Sequence, residues 1–441
     1  MVRQFLIAFA VPTYLVAQTA PPVPASGNSL HPIPLPEAVT LAQRNTPAAV
    51  QARGQLRTSA SAVRSAYGAF IPSLTASLNQ VKQSGQRFDA LRNQVVTVAQ
   101  PWSYSTGISS NIELFDGGRR FADLRARRAD VDAAQANEVA QRYNIALSVK
   151  REYANILAAR ESEAAARAQL QQAQAQLQAA VARVRAGAAT MSDSLRSLIQ
   201  VGDAQLALIT AQTNVRVASA ALTRLVGTPF VVTAVAADTA DVQPMTLDSA
   251  ALEQMAVRGP AVQQAEMQLR AANAGERSAR SGYFPSITMG YSYNGNGTDP
   301  YGFGNGQFLY GSNLNFRLNF PLFNNFTRED QIVRASVSED NAEAGLRDAR
   351  LAAQQSLVQQ LGGLRSAEER IRIQQVSVAA AQEDLRVQQQ RYAVGASTLL
   401  DLLTSQSQLN QARAALIQAR QDYRIARAEI EAIIGRELTS P

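Results

Sequence analysis

A chain of 441 residues without a single Cys excludes disulfide frameworks, thiolate chemistry and Cys-ligated metal. Its net charge of +7 is carried mainly by Arg scattered among Gln, Asp and Glu, with no basic stripe and no stacking aromatics, which argues against nucleic-acid binding.

The N-terminus, MVRQFLIAFAVPTYLVAQTAPP, has one charge at Arg3, an apolar core from Phe5 to Val16 and small residues near Ala17. It reads as a secretory signal peptide over residues 1–17, too short to span a bilayer as a helix. No later run of 18 apolar residues occurs, and the lack of Cys argues against a lipid-modified N-terminus, so any membrane attachment falls to strands. A Pro-rich segment, 18–35, follows. Its His31 has no second His with which to bind metal and is expected to be a solvated linker residue.

Residues 36–228 form a first unit. A helical pattern runs to FIPSL, where the period changes to two. SLTASLN sets Leu74, Ala76 and Leu78 on one face, and ISSNIEL sets Ile108, Ile112 and Leu114 against Ser109, Asn111 and Glu113, predicting a hairpin over about 72–115. After LFDGGRR, residues 119–186 contain neither Pro nor Gly and predict one unbroken helix, roughly 100 Å long at 1.5 Å per residue. A turn at 187–190 leads to a second helix with Val201, Leu208, Val215 and Leu222 in heptad spacing, and residues 229–246 read as a linker.

Residues 247–436 repeat the plan, with a short tail at 437–441. The hairpin at about 285–323 alternates more cleanly: Ile287, Met289, Tyr291 and Tyr293 share a face, as do Leu314, Phe316, Leu318 and Phe320 against Asn313, Asn315, Arg317 and Asn319. YGFGNGQ, 301–307, lies between strands and opens no helix, so it reads as a Gly-rich hairpin loop rather than a phosphate loop. In the long helix that follows, Ile371, Val378, Leu385 and Tyr392 form one seam, and Ile373, Ala380, Val387 and Val394 a second on nearly the opposite side. Leu170, Leu177 and Val184 against Ala165, Ala179 and Ala186 repeat this faintly in the first unit. Apolar seams on two flanks describe a stave packed between neighbours in a ring of helices. After a turn at 395–398, Leu402, Leu409, Leu416, Tyr423 and Ile430 resume the heptads.

One offset, 395 − 187 = 208 residues, relates Gly187 to Gly395, Thr190 to Thr398 and Asp193 to Asp401. Each Gly suits a left-handed helix end, each Thr an N-cap and each Asp its capping-box partner. Four strands cannot close a transmembrane barrel, whose smallest members have about eight, so the chain must assemble. Two copies would supply eight strands and three would supply twelve.

LPEAVTLAQRNTPAAVQARGQLRTSASAVRSAYGAFIPSL, NIELFDGGRR and RYAVGASTLLDLL, in this order and duplicated, resemble the TolC family of outer-membrane efflux channels over roughly residues 35–436. The resemblance implies a mainly α fold: a long α-helical coiled-coil barrel continuous with a transmembrane β-barrel, four strands per chain, internally duplicated. It implies a homotrimer in bacterial outer-membrane lipid with a long periplasmic part, partnered by a periplasmic adaptor (membrane fusion) protein and an inner-membrane pump of RND, ABC or MFS type, with no cofactor. Asp401 would ring the periplasmic entrance, and Tyr392 would bond Asp193 to hold it closed. Ser397 and Thr404 depart from the family pattern, which has a bridging Arg and a second Asp there, so the closed state is expected to be held less tightly. Gly187, Ala188, Thr190, Gly395, Ala396 and Thr398 would form the adaptor-docking tips. Glu113 and Arg317, on the polar sides of their strands, are expected to line the barrel lumen. No nucleophile is paired with a base, so no enzyme is expected. The competing reading is a secreted coiled-coil structural or adhesion protein without a pore.

Overall fold

The computed structural model describes residues 30–82, 84–89, 94–99, 102–235, 248–298 and 308–438. The signal peptide, the YGFGNGQ loop and most of the expected linker lie outside them.

Each repeat begins with a helix pair broken at a proline: α1 (Leu35–Asn45) and α2 (Pro47–Gly68), then α5 (Ser249–Ala256) and α6 (Pro260–Arg280). Pro47 and Pro260 occupy first-turn positions, where the missing N–H costs nothing, so the single opening helix expected in each repeat is two. From α2 the chain enters β2 (Ser73–Val81) and returns through β5 (Ser103–Phe115), and from α6 it enters β7 (Ser286–Gly297) and returns through β8 (Phe308–Asn319). These four strands form one antiparallel sheet in the order β2-β5-β7-β8, while β3 (Ser84–Asp89) and β4 (Gln94–Ala99) extend the first hairpin as a separate pair. The first hairpin thus holds four strands rather than two. Phe320, expected to continue the alternation, lies past the end of β8.

The register sorts side chains as the alternation predicts. Ile112 opposes Met289, which opposes Phe316; on the other face, Asn111 opposes Gly290 and then Asn315. Leu74, Ile108, Leu314, Phe316 and Leu318 are all exposed. Strands β2 and β8 each have one unpaired edge.

Gly117 and Gly118 take positive φ where β5 turns into α3 (Arg119–Arg185), and Asn325 and Phe326 do so where β8 turns into α7 (Thr327–Ala393). Both helices run 67 residues without interruption. Each folds back on a shorter partner, α4 (Met191–Val226) or α8 (Leu399–Ile434).

Two packed cores lie along these pairs. Val149, Tyr153, Ile156, Leu222 and Val226 bury one, and Leu357, Leu361, Leu364, Ile430 and Ile434, each 208 residues later, bury the other. Fully burying such side chains contributes about 1.5–3 kcal/mol each. Helix α3 is tied to α8 by Lys150–Glu431 at 2.5 Å and by Glu161 to Arg424 at 3.4 Å. The first core is closed by a two-stranded parallel sheet, β1 (His31–Ile33) beside β6 (Val232–Ala234). Segments expected to be a Pro-rich tail and a linker therefore pair, and His31, expected to be a solvated linker residue, is an exposed strand residue whose ring lies edge-on to Phe230 at 5.0 Å. Tyr153 explains the pairing: its hydroxyl donates to Ile33 O at 3.2 Å and accepts from Val235 N at 3.0 Å.

Candidate functional site

The two helical turns share one local design. Gly187 and Gly395 have φ of 71° and 81°. Around them the Gly187 N–H donates to Val184 O and the Ala188 N–H to Arg183 O at 3.0 and 2.8 Å, with Gly395 to Tyr392 O and Ala396 to Arg391 O at 3.1 and 2.8 Å. This double closure requires a left-handed residue, which is why glycine sits there. The next helix starts at once with a capping box. The Asp193 N–H donates to Thr190 Oγ1 at 3.3 Å while Asp193 Oδ2 accepts from the Thr190 N–H at 3.1 Å, and Thr398 and Asp401 repeat this at 3.2 and 3.0 Å.

Hydrogen bonds from the Thr190 and Thr398 backbones, then their hydroxyls, hold the Asp193 and Asp401 carboxyls below the ordinary carboxylate range. Both residues are therefore ionised at neutral pH. Because the folded-state pKa is depressed, the caps act fully above the unfolded carboxylate pKa and are lost only as pH falls through the lower folded value.

An arginine four residues before each glycine completes the turn. Arg183 reaches Ala188 O at 3.5 Å and Arg391 reaches Ala396 O at 3.4 Å. Arg183 also crosses to the other repeat: its guanidinium lies 4.4 Å from the centre of the Tyr392 ring and donates to Tyr392 O. The tyrosine packs on Leu385, Leu402 and Leu409, and its hydroxyl is buried without a hydrogen-bond partner. No hydrogen bond joins it to Asp193 within the chain. Ser397 Oγ and Thr404 Oγ1 turn back to Gln388 O and Leu400 O, so neither bridges to another helix. Sequence reasoning missed Arg183 and Arg391, although they are themselves 208 residues apart and share the spacing to glycine.

At the other end, Glu113 and Arg317 oppose Thr288 from either side, which places them in one cross-strand row on the polar face. Below the sheet, α2, α3, α6 and α7 share a concave surface lined by Ser59, Asp130, Asn137, Gln268 and Ser338, polar side chains set among alanines. Such a surface suits an aqueous wall rather than a packed core. Among the described residues no cluster of His, Asp and Glu could hold a metal.

The chain matches the family described as Outer membrane efflux protein over residues 38–228 and 251–436, nearly all of both repeats. It belongs to that family. Protein CyaE of Bordetella pertussis is 29% identical over 379 residues, covering 81% of this chain and 75% of the relative. The pyoverdine export outer membrane protein OpmQ of Pseudomonas aeruginosa is 27% identical over 322 residues, covering 72% and 67%. The fold matches the open state of the Neisseria gonorrhoeae MtrE outer membrane channel with a TM-score of 0.74 at 21% identity, over 92% of this chain and 89% of that one.

The efflux protein is thus a passive export channel of the outer membrane with a helical periplasmic part, not an enzyme. Export in this family is by systems that also contain an adaptor and an inner-membrane pump. The pore-free coiled-coil reading is not favoured.

Proposed function

We propose that three copies of this efflux protein close twelve strands into one outer-membrane barrel and their helices into one tunnel, a passive exit duct gated at the helical turns. The observation that carries this reading is continuity. Each strand of the β2-β5-β7-β8 sheet runs into a helix, and α2, α3, α6 and α7 pack in the same order, leaving both sheet edges unpaired. Unpaired edges with an exposed apolar face need partners, and further copies of the same sheet supply them.

In this duct Asp401 lines the constriction, and Asp193 with Tyr392 holds it closed. Gly187, Ala188, Thr190, Gly395, Ala396 and Thr398 form tips on which a periplasmic adaptor docks. Glu113 and Arg317 face the barrel lumen. The adaptor connects the duct to an inner-membrane pump of the RND, ABC or MFS class, which selects the cargo. The cargo is a small molecule or a secreted protein, and one relative is named for pyoverdine export.

Single-channel recording in planar bilayers tests the reading. Three Asp401 carboxylates around a narrow entrance focus negative potential, so the wild type should favour cations and be blocked by divalent cations added from the helical side. Asp401→Asn should weaken both. Wild-type behaviour of Asp401→Asn would reduce Asp401 to a helix cap and move the constriction elsewhere.

A further inference from the structure

The wall formed by α2, α3, α6 and α7 has two faces, and only one faces the concave surface described above. On α3 that surface takes Arg127, Asp130, Ala134 and Asn137. At about 100° per residue, Phe121, Arg125 and Arg128 project from the opposite, convex side. The same count puts Arg64 opposite the lining residues of α2, and Arg277 opposite those of α6. Because α3 and α6 are central in the row, their convex sides face outward from the wall and not toward a neighbouring wall edge.

These arginines sit just below the sheet. Arg64 and Arg277 lie near the ends of α2 and α6, each nine residues before a strand, and Arg125 and Arg128 follow the start of α3 by six and nine residues, so all fall within roughly 15 Å of the junction. Their side chains are exposed, and Arg64, Arg125 and Arg277 have no carboxylate partner among the described residues. Arg128 bonds to the Tyr67 hydroxyl and stacks over its ring at 5.6 Å. Directly above, Phe121 is 58% exposed. An exposed ring with guanidiniums one and two turns further from the strands, neither held by a carboxylate among the described residues, matches the order of a bilayer edge, where rings occupy the interface and cations meet the headgroups.

We propose that this convex arginine collar binds the phosphate groups of anionic phospholipids in the periplasmic leaflet of the outer membrane. The guanidinium is the side chain best suited to phosphate, binding two oxygens at once. The concave side differs in kind, since Arg127 there is paired with Asp130 at 3.3 Å. The collar rests on outer-membrane residence and does not depend on the gate.

The test uses the full-length protein in detergent and compares wild type, the triple variant R64Q/R125Q/R277Q, the triple variant R64K/R125K/R277K and the concave control R127Q. Retained lipid phosphate is measured after washing, and Tm is measured with added phosphatidylglycerol, phosphatidylcholine or inorganic phosphate. Wild type and R127Q should retain anionic lipid and gain Tm with phosphatidylglycerol alone. The glutamine variant should retain at least threefold less phosphate and lose that gain, while the lysine variant keeps part of both. Wild-type retention by the glutamine variant, or an equal loss in R127Q, would overturn the collar. An equal Tm gain from phosphatidylcholine would point to the apolar surface, and one from inorganic phosphate to a free anion; either overturns an anionic-lipid site. Should the glutamine variant fail to assemble, R125Q alone and the wild-type lipid preference decide by the same criteria. Bilayer conductance should be unchanged in the convex glutamine and lysine variants, so loss of the duct reading would register separately.

Discussion

Tyr392 is held from two sides and unsatisfied at its tip. Arg183 covers the ring, Leu385, Leu402 and Leu409 pack beneath it, and the hydroxyl lies buried without a partner. An unmet buried hydroxyl costs about 1–3 kcal/mol, so its retention calls for a partner that the single chain lacks or a role in another state. Tyr392→Phe should therefore leave the thermal stability of the purified protein within about 1 kcal/mol of wild type while raising open probability in bilayer recordings. Unchanged open probability would restrict Tyr392 to packing. The αL backbone of Phe326 is a second residue-scale departure, since a non-glycine residue there costs on the order of 1–2 kcal/mol. Neither feature was legible locally, because nothing in the type Phe or Tyr announces a strained backbone or an orphaned hydroxyl. For Phe326 the repeat held the signal: its counterpart 208 residues earlier is Gly118.

The two seams of α7 are chemically alike in sequence and differ in the chain. Ile371 and Leu385 are buried against α8, whereas Ile373, Val387 and Val394 are 49%, 36% and 81% exposed. The first seam therefore stabilises the chain itself, and the second awaits a neighbour. Leu385→Asp places an uncompensated charge in a packed cluster and should cost several kcal/mol of chain stability, read as lost helix content on heating. Val387→Asp should leave helix content intact yet reduce the trimer fraction on size-exclusion chromatography. A silent Val387→Asp would mean that this flank meets water in the assembly and that the closed ring of staves is wrong.

Closure of the whole molecule depends on the sheet faces. Phe316 and Leu318 lie on the apolar face with Met289 and Ile287, while Asn315 shares the opposite face with Gly290 and Asn111. In a barrel the apolar face meets lipid, so Phe316→Arg near mid-bilayer should cost roughly 2–4 kcal/mol, whereas Asn315→Arg should be tolerated. The measurement is the yield of membrane-inserted trimer. Equal loss in both variants would reverse the face assignment. The convex collar belongs to this scale too, since its arginines come from three helices that only the assembled row places together.

Periodicity, capping residues and duplication are local or nearly local properties, so the sequence alone determined the 67-residue helices, the paired turns, the alternating strands and the family. Non-local pairing is not written in any window. The β1–β6 sheet joins segments some 200 residues apart through Tyr153, the Arg183–Tyr392 contact joins the two repeats, and the split into concave and convex faces depends on which helices become neighbours. Those contacts are fixed by packing around shared cores, where many weak interactions act together, and only the tertiary structure decided them.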